Sequence, residues 1–253
     1  MSNRVAVVSG GTQGIGAAVV ERLRKDGYVV VTGSRSGVPE QGDDLTVVRA
    51  DLATAEGVQA LAAAALQRGR VDALVNNVGH FDPRNSFLDV TDEQWEQGFA
   101  VNVLSAVRLT RALLPALLEH SGAIVNVSSI NARLPFPMVV DYSAHKAALT
   151  NLTTALSEEF APQGVRVNAV SPGPVRTPNW TADGRLADSM AAASGVTRDQ
   201  VLDEGVPTNM GIALGRMGES HEIADAVAFL LSPQARWITG TDLVIDGGTI
   251  KAA

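Results

Sequence analysis

The chain has 253 residues, 20 basic against 27 acidic side chains for a net charge of −7, and few aromatics (six Phe, three Trp, two Tyr), which argues against a nucleic-acid partner, since that calls for a basic footprint. Cysteine is absent, so disulfides, thiol chemistry and thiolate metal sites are excluded, and no two histidines have metal-ligand spacing, so no metal is expected. No apolar run approaches the ~20 residues of a membrane span, and Met1-Ser2-Asn3-Arg4 leads into too short an apolar stretch for a signal peptide, so the expectation is one cytoplasmic domain over 1–253 with no membrane partner.

In chain order, short β-branched apolar runs alternate with longer segments whose apolar residues recur every three or four positions. The runs are Val5–Ser9, Val29–Gly33, Leu45–Ala50, Val71–Asn76, Ala123–Ser128, Val165–Ser171 and Leu243–Asp246. The segments of helical period are Gly14–Lys25, Ala55–Arg68, Asp92–Glu119, Tyr142–Ala161 and Ser220–Leu231. Val-rich runs that do not alternate with polar residues imply strands buried on both faces. The predicted fold is therefore α/β: a single doubly wound Rossmann domain of about seven parallel strands with helices on both faces. From Pro172 to Gly218 the rhythm breaks, with no strand and two short helical patterns, Arg185–Ala193 and Asp199–Asp203. Thr197 followed by Gln200 reads as a capping box, so the stretch at about 174–218 is expected to be an ordered lid.

Ser9-Gly10-Gly11-Thr12-Gln13-Gly14-Ile15-Gly16 follows the first strand and opens the first helix. Glycines there let the backbone approach a pyrophosphate, and the helix N-terminus offers unpaired N–H groups and partial positive charge. Tyr142 and Lys146 are four apart in a helical segment, so they share one face; a nearby ammonium favours phenolate and is expected to lower the tyrosine pKa. Ser129 lies thirteen residues before Tyr142. Adjacent strand residues face opposite ways, so only one of Ser128 and Ser129 can face a cleft. Asn102 sits inside an otherwise regular helix, where its side chain can bend the helix by bonding to the backbone.

Gly10-x-x-x-Gly14-x-Gly16, Asn76-Asn77-Val78-Gly79, Asn102, Ser129, Tyr142-x-x-x-Lys146 and Pro172-Gly173 occur in the order of the short-chain dehydrogenase/reductase family, whose motifs this chain resembles from about Arg4 to Thr249. Ser9 replaces the family's usual Thr. The resemblance implies an oxidoreductase passing a hydride between a nicotinamide dinucleotide and a ketone or secondary alcohol. It implies Tyr142 as general acid/base, Ser129 as hydrogen-bond donor to the substrate oxygen, Lys146 on the nicotinamide ribose, and Asn102 holding a water that relays protons to Lys146. The implied cofactor contacts are Gly10, Thr12, Gln13, Gly14, Ile15 and Gly16 in the turn; Ser34 and Arg35 after the second strand; Asp51 and Leu52 after the third; Asn77 and Gly79; Tyr142 and Lys146; and Pro172, Gly173, Val175 and Thr177. Ser34 stands where an NAD-binding member has an Asp, and Arg35 where NADP-preferring members have a basic residue. NADP(H) is thus the expected cofactor, with NAD(H) allowed. Gln13 departs from this, standing where many NADP-dependent relatives place a second Arg or Lys.

Leu134-Pro135-Phe136-Pro137-Met138-Val139-Val140, together with His80 and Phe81, predicts a largely apolar wall for a small-molecule substrate. His145, a quarter turn from the Tyr142 face, reads as packing or surface, and His80 as an ordinary loop residue beside the cleft. The resemblance also implies pairing through Asp92–Glu119 and Tyr142–Ala161 into a homodimer or homotetramer. Two alternatives remain open. One is a 3-oxoacyl-[acyl-carrier-protein] reductase, disfavoured because His120 and Gln163 stand where such enzymes present arginines. The other is a nucleotide-sensing non-enzyme, disfavoured because Asn102, Ser129, Tyr142 and Lys146 are all present.

Overall fold

The computed structural model describes residues 4–251; Met1, Ser2 and Asn3, part of the expected leaderless start, and Ala252 and Ala253, the end of the expected 1–253 domain, lie outside the described residues. The first half of the chain runs β1 (Val5–Ser9), α1 (Gly14–Lys25), β2 (Val29–Ser34), β3 (Glu40–Gln41), β4 (Leu45–Arg49), α2 (Ala55–Leu66), β5 (Ala73–Asn76), α3 (Asp92–Phe99) and α4 (Ser105–Glu119). Next come β6 (Ala123–Val127), α5 (Val140–Phe160), β7 (Arg166–Pro172) and an insertion made of β8 (Val175–Arg176), α6 (Pro178–Thr181), α7 (Leu186–Ser194), α8 (Arg198–Gln200), α9 (Val206–Asn209) and β9 (Gly218–Glu219). The chain closes with α10 (Ser220–Leu231) and β10 (Asp242–Ile245).

Eight strands form the main sheet, in the order β10-β7-β6-β5-β1-β2-β4-β3. Seven pair in parallel as predicted, while β3 runs antiparallel to β4 through two residue pairs. Glu40 and Gln41 are both exposed and polar, so β3 carries none of the apolar signal that marks the other strands. Both faces of the sheet are covered. Val5 and Val7 face Leu61, Leu109, Leu113 and Leu117 from α2 and α4. Ala6 and Val8 face Val19, Leu23, Ile223 and Val227 from α1 and α10. This double burial explains the continuous Val runs, each side chain contributing about 1.5–3 kcal/mol when fully removed from water. Strand order reverses between β1 and β5, so the crevice of a doubly wound sheet opens above their carboxyl ends, between the glycine turn and Asn76–Gly79.

Helices α3 and α4 form one continuous helix, Asp92–Glu119, through a π-helical turn at Ala100–Leu104. Contrary to expectation, its length and composition would suffice to cross a bilayer. Its apolar stripe is otherwise engaged, with Leu109, Leu113 and Leu117 at most 1% exposed against Leu74 and Ile124. The insertion is not strand-free as expected, because β8 and β9 pair in parallel and close its base (Val175 with Gly218, Arg176 with Glu219). Two-residue strands are too short to show a period in the sequence. The capping box of Thr197 and Gln200 forms, and Ala187, Val201, Leu202, Val206, Ile212 and Met217 bury one another in a small separate core.

Candidate active site

Gly10 and Gly14 hold φ of 70° and 54°, which a side chain would strain. A Cβ on Gly16 would lie 2.2 Å from the Gly10 carbonyl oxygen. The turn is fastened from outside: the Gly11 amide donates to Thr32 Oγ1 (3.0 Å), and Ser9 Oγ accepts from the amides of Asn77 (2.9 Å) and Val78 (3.1 Å). Asn77 Nδ2 donates to the carbonyls of Ser9 (2.9 Å) and Gly10 (3.2 Å), so its amide group anchors the turn itself. The residue preceding α1, Gln13, makes no side-chain cap, and the helix has no acid in its first turn. Among the described residues no side chain claims the orphan N–H groups or the positive helix end, which fits a pyrophosphate in this cradle. Ile15 packs on the core and can offer only backbone there.

At the end of β2, Ser34 Oγ bonds to Thr12 Oγ1 at 2.8 Å, and Arg35 is exposed beside it. Asp51 follows β4 with its carboxylate accepting the Ala53 amide at 3.0 Å. Leu52 is 3% exposed, its side chain in the core, so any contact from it is through backbone. Arg35, Arg49, Ala50 and Asp51 line a recess of about 370 Å³. Arg49 was not singled out from the sequence. The available signal was a lone basic residue ending an apolar strand.

Ser129, Tyr142, Lys146 and Asn102 converge on the other side of the crevice. Ser128 and Ser129 diverge as strand geometry requires. Ser128 Oγ is spent on the Lys146 carbonyl (3.1 Å) and Thr150 Oγ1 (2.8 Å), while Ser129 sits close enough to the Tyr142 phenol to stabilise its ionised form and bonds to Asn131 at 3.2–3.3 Å. Lys146 is 2% exposed and donates from Nζ to the Val127 carbonyl at 2.7 Å. Its Nζ lies 5.5 Å from the centre of the Tyr142 ring. Burial pulls the Lys146 ammonium down to about 8. Burial also pushes the Tyr142 phenol up to about 12, with the neighbouring Ser129 hydroxyl pulling the other way, although the residue is only half-buried. The expected lowering of the phenol by Lys146 is thus reversed in the protein alone, because desolvation outweighs an ammonium that sits over the ring and bonds elsewhere.

Asn102 lies in the π-helical turn, with Nδ2 donating to the carbonyls of Gly98 and His80 (2.9 Å each) and Oδ1 accepting the His80 amide (2.9 Å). The side chain thus bonds back within the helix and grips the loop after β5. In that loop a Cβ on Gly79 would come within 3.1 Å of Lys146 Nζ, and Phe81 packs on Tyr142 with ring centres 5.1 Å apart. His80 Nε2 lies 3.2 Å from Asp82 Oδ2. Of the expected wall, Val139 is buried while Leu134 and Met138 are exposed. Pro172 ends β7, the Gly173 amide donates to the Ile245 carbonyl (2.9 Å), and Val175 is buried. Thr177 reaches back to the glycine turn, 3.4 Å from where a Gly14 Cβ would sit. His145 is packing: it is 3% exposed and stacked edge-on against Trp95 and Phe99, and among the described residues neither ring nitrogen has a hydrogen-bond partner.

Residues 10–249 match a family model described as enoyl-(acyl carrier protein) reductase. An uncharacterised oxidoreductase of Methylorubrum extorquens is 36% identical over 259 residues, 98% of each chain. Human dehydrogenase/reductase SDR family member 4 is 34% identical, over 98% of this chain and 88% of its own. Among solved structures, L-sorbose reductase of Gluconobacter frateurii, complexed with NADPH and L-sorbose, superposes with a TM-score of 0.89 at 29% identity, covering 100% of this chain and 98% of its own.

Proposed function

Since the chain belongs to the short-chain dehydrogenase/reductase family and is an oxidoreductase, we propose that it is an NADP(H)-dependent enzyme interconverting a ketone and a secondary alcohol on a small substrate, with Tyr142 as general acid/base. The observation that carries this reading is the convergence of Ser129, Tyr142 and buried Lys146, with Lys146 Nζ 5.5 Å from the centre of the Tyr142 ring, across the crevice from an uncapped glycine turn. Gly10, Gly14, Gly16 and the first turn of α1 would hold the pyrophosphate. Ser34, with no acid in its place, and Arg35 support NADP(H), with NAD(H) allowed. Lys146 and Asn77 would hold the nicotinamide and adenosine sides. When bound, the nicotinamide supplies or takes the hydride and, oxidised, brings a positive charge near the phenol.

In reduction, Tyr142 keeps its proton through the neutral range and gives it to the carbonyl oxygen as the carbon gains hydride. Ser129 donates a hydrogen bond to the same oxygen and stabilises its developing negative charge. In oxidation the phenolate form of Tyr142 takes the hydroxyl proton. Asn102 fixes the His80 loop, and with it Phe81 against the Tyr142 ring. The insertion over 174–218 acts as a lid, its own core letting it move as a unit over the glycine turn, which its Thr177 adjoins. Substrate enters beside Phe81, Leu134 and Met138, an apolar border that suits a free small molecule. A carrier-bound acyl substrate is the second reading, favoured by the description of the matching family model. Two copies pair through α4 and α5 as a homodimer or within a homotetramer.

The test is Tyr142→Phe. With NADPH and a panel of ketones and sugars, wild type consumes the reduced cofactor. The variant loses about 10²-fold or more in rate while cofactor affinity stays unchanged. Turnover retained in the variant would remove Tyr142 as proton donor, and NADPH binding without turnover across the panel would favour a sensor.

A further inference from the structure

Gln13 leaves the adenosine end of the turn without the second cation expected there. We propose that Arg49 supplies it from the neighbouring strand, so that Arg35 and Arg49 clamp a phosphate on the ribose 2′ position and make Arg49 a cofactor-specificity residue. The proposal rests on the NADP(H) reading above.

Register places the side chain. Strands β2 and β4 are parallel, with Ser34 paired to Arg49, and paired residues of a parallel sheet emerge on one face. Two bonds identify that face: Thr32 Oγ1 accepts the Gly11 amide and Ser34 Oγ meets Thr12 Oγ1, both reaching the glycine turn. Gly33, between them, looks the other way, toward Leu61. Arg49 therefore rises beside the turn, at the carboxyl end of its strand, and shares one recess with Arg35.

The charges there are uncompensated by ion pairing. Among the described residues Arg22, Arg24, Arg84, Arg133, Arg176, Arg198 and Arg216 all have carboxylate partners, whereas the side chains of Arg35 and Arg49, like those of Arg111 and Arg185, make no ion pair or hydrogen bond, and of these four only Arg35 and Arg49 line one recess. Asp51 also lines the recess but turns an oxygen to the Ala53 amide, so two guanidiniums face one carboxylate. Two planar forks on one open recess, next in sequence and in register to Ser34, suit the charge and the fork recognition of a phosphate dianion.

The full-length protein is titrated calorimetrically with adenosine 2′,5′-bisphosphate and with 5′-AMP, which differ only in the 2′-phosphate. Wild type should prefer the bisphosphate, and Arg49→Ala should lose about tenfold or more of its bisphosphate affinity while binding 5′-AMP as before. Arg49→Lys, which keeps the charge without the fork, should fall between. A wild type without preference would overturn both this proposal and the NADP(H) reading. A wild-type preference that Arg49→Ala leaves intact would overturn Arg49 alone, leaving it a solvated strand end. Equal loss of both ligands would mark Arg49 as structural and likewise overturn the proposal.

Discussion

Lys146 is as deeply buried as the leucines of the core, and among the described residues one hydrogen bond, to the Val127 carbonyl, holds its ammonium. A charge kept in that place costs stability, since burial shifts it from its ordinary value of 10.5 down to about 8. Lys146→Met should therefore raise Tm by a few degrees, at roughly 2–4 °C per kcal/mol for a chain of this size, while lowering turnover about 10²-fold or more. Calorimetry and steady-state rates on the same preparation check both halves, and a lowered Tm would show that Lys146 supports the fold. The neighbouring phenol sets the pH behaviour. A pKa raised to about 12 keeps Tyr142 protonated, hence competent to donate, through the neutral range. Carbonyl reduction should accordingly hold a plateau from neutral pH upward and fall only in alkaline solution as the phenol ionises, whereas alcohol oxidation should climb with pH over the same interval. Paired pH–rate profiles in the two directions check the sign.

At the scale of elements, the turn between β1 and α1 depends on close backbone approach. Gly16→Ala would push a methyl into the Gly10 carbonyl and toward Asn77 Nδ2, so the turn must open. The expected outcome is loss of dinucleotide binding with a lowered Tm, measured by nucleotide titration and calorimetry. The insertion behaves differently because it carries its own small core. Met217 is 1% exposed within it, so Met217→Ala should loosen the insertion by about 2–5 kcal/mol. Proteases should then cut at Gly184 or Gly195, where the backbone turns left-handed, while the main sheet stays folded. Mass spectrometry of the limited digest reports which segment opens. Cleavage confined to the same sites and rates in wild type would show that the core of the insertion does not govern its opening.

For the whole molecule, the first loss of stability below neutral pH is expected at His145, ahead of carboxylates such as Glu222 whose lowered pKa values act at more acid pH. Its imidazole is enclosed by Trp95 and Phe99, with no hydrogen-bond partner on either nitrogen among the described residues, and burial lowers its pKa against the opposing pull of Asp141. A lowered basic pKa means that the unfolded chain binds the proton first. Stability is thus full above the ordinary histidine value of about 6.5 and declines as pH falls below it, levelling once the folded state is also protonated. Urea midpoints should drop between pH 7.5 and 5.5 in wild type and drop less in His145→Leu. An equal decline in both proteins would assign the acid limb to other groups.

The seven parallel strands, the glycine turn and the Tyr142–Lys146 pair were legible in the sequence because each is governed by local rules: a run buried on both faces must be apolar throughout, a left-handed turn wants glycine, and a four-residue interval is one helical turn. The same rules let only one of Ser128 and Ser129 face the cleft, and the resemblance, through the interval to Tyr142, selects Ser129. They say nothing of β3, β8 and β9, which are held by pairing alone, nor of the π-helical turn, whose Asn102 is occupied by a loop 22 residues away in sequence. Arg49 beside Ser34 follows from strand register, and the raised phenol pKa from desolvation. Chemistry-bearing residue types were thus determined along the chain. Which charges meet, which groups lose water and which carbonyls a side chain finds were decided only when distant segments packed, because those energies depend on distance and solvent exclusion rather than on spacing in sequence.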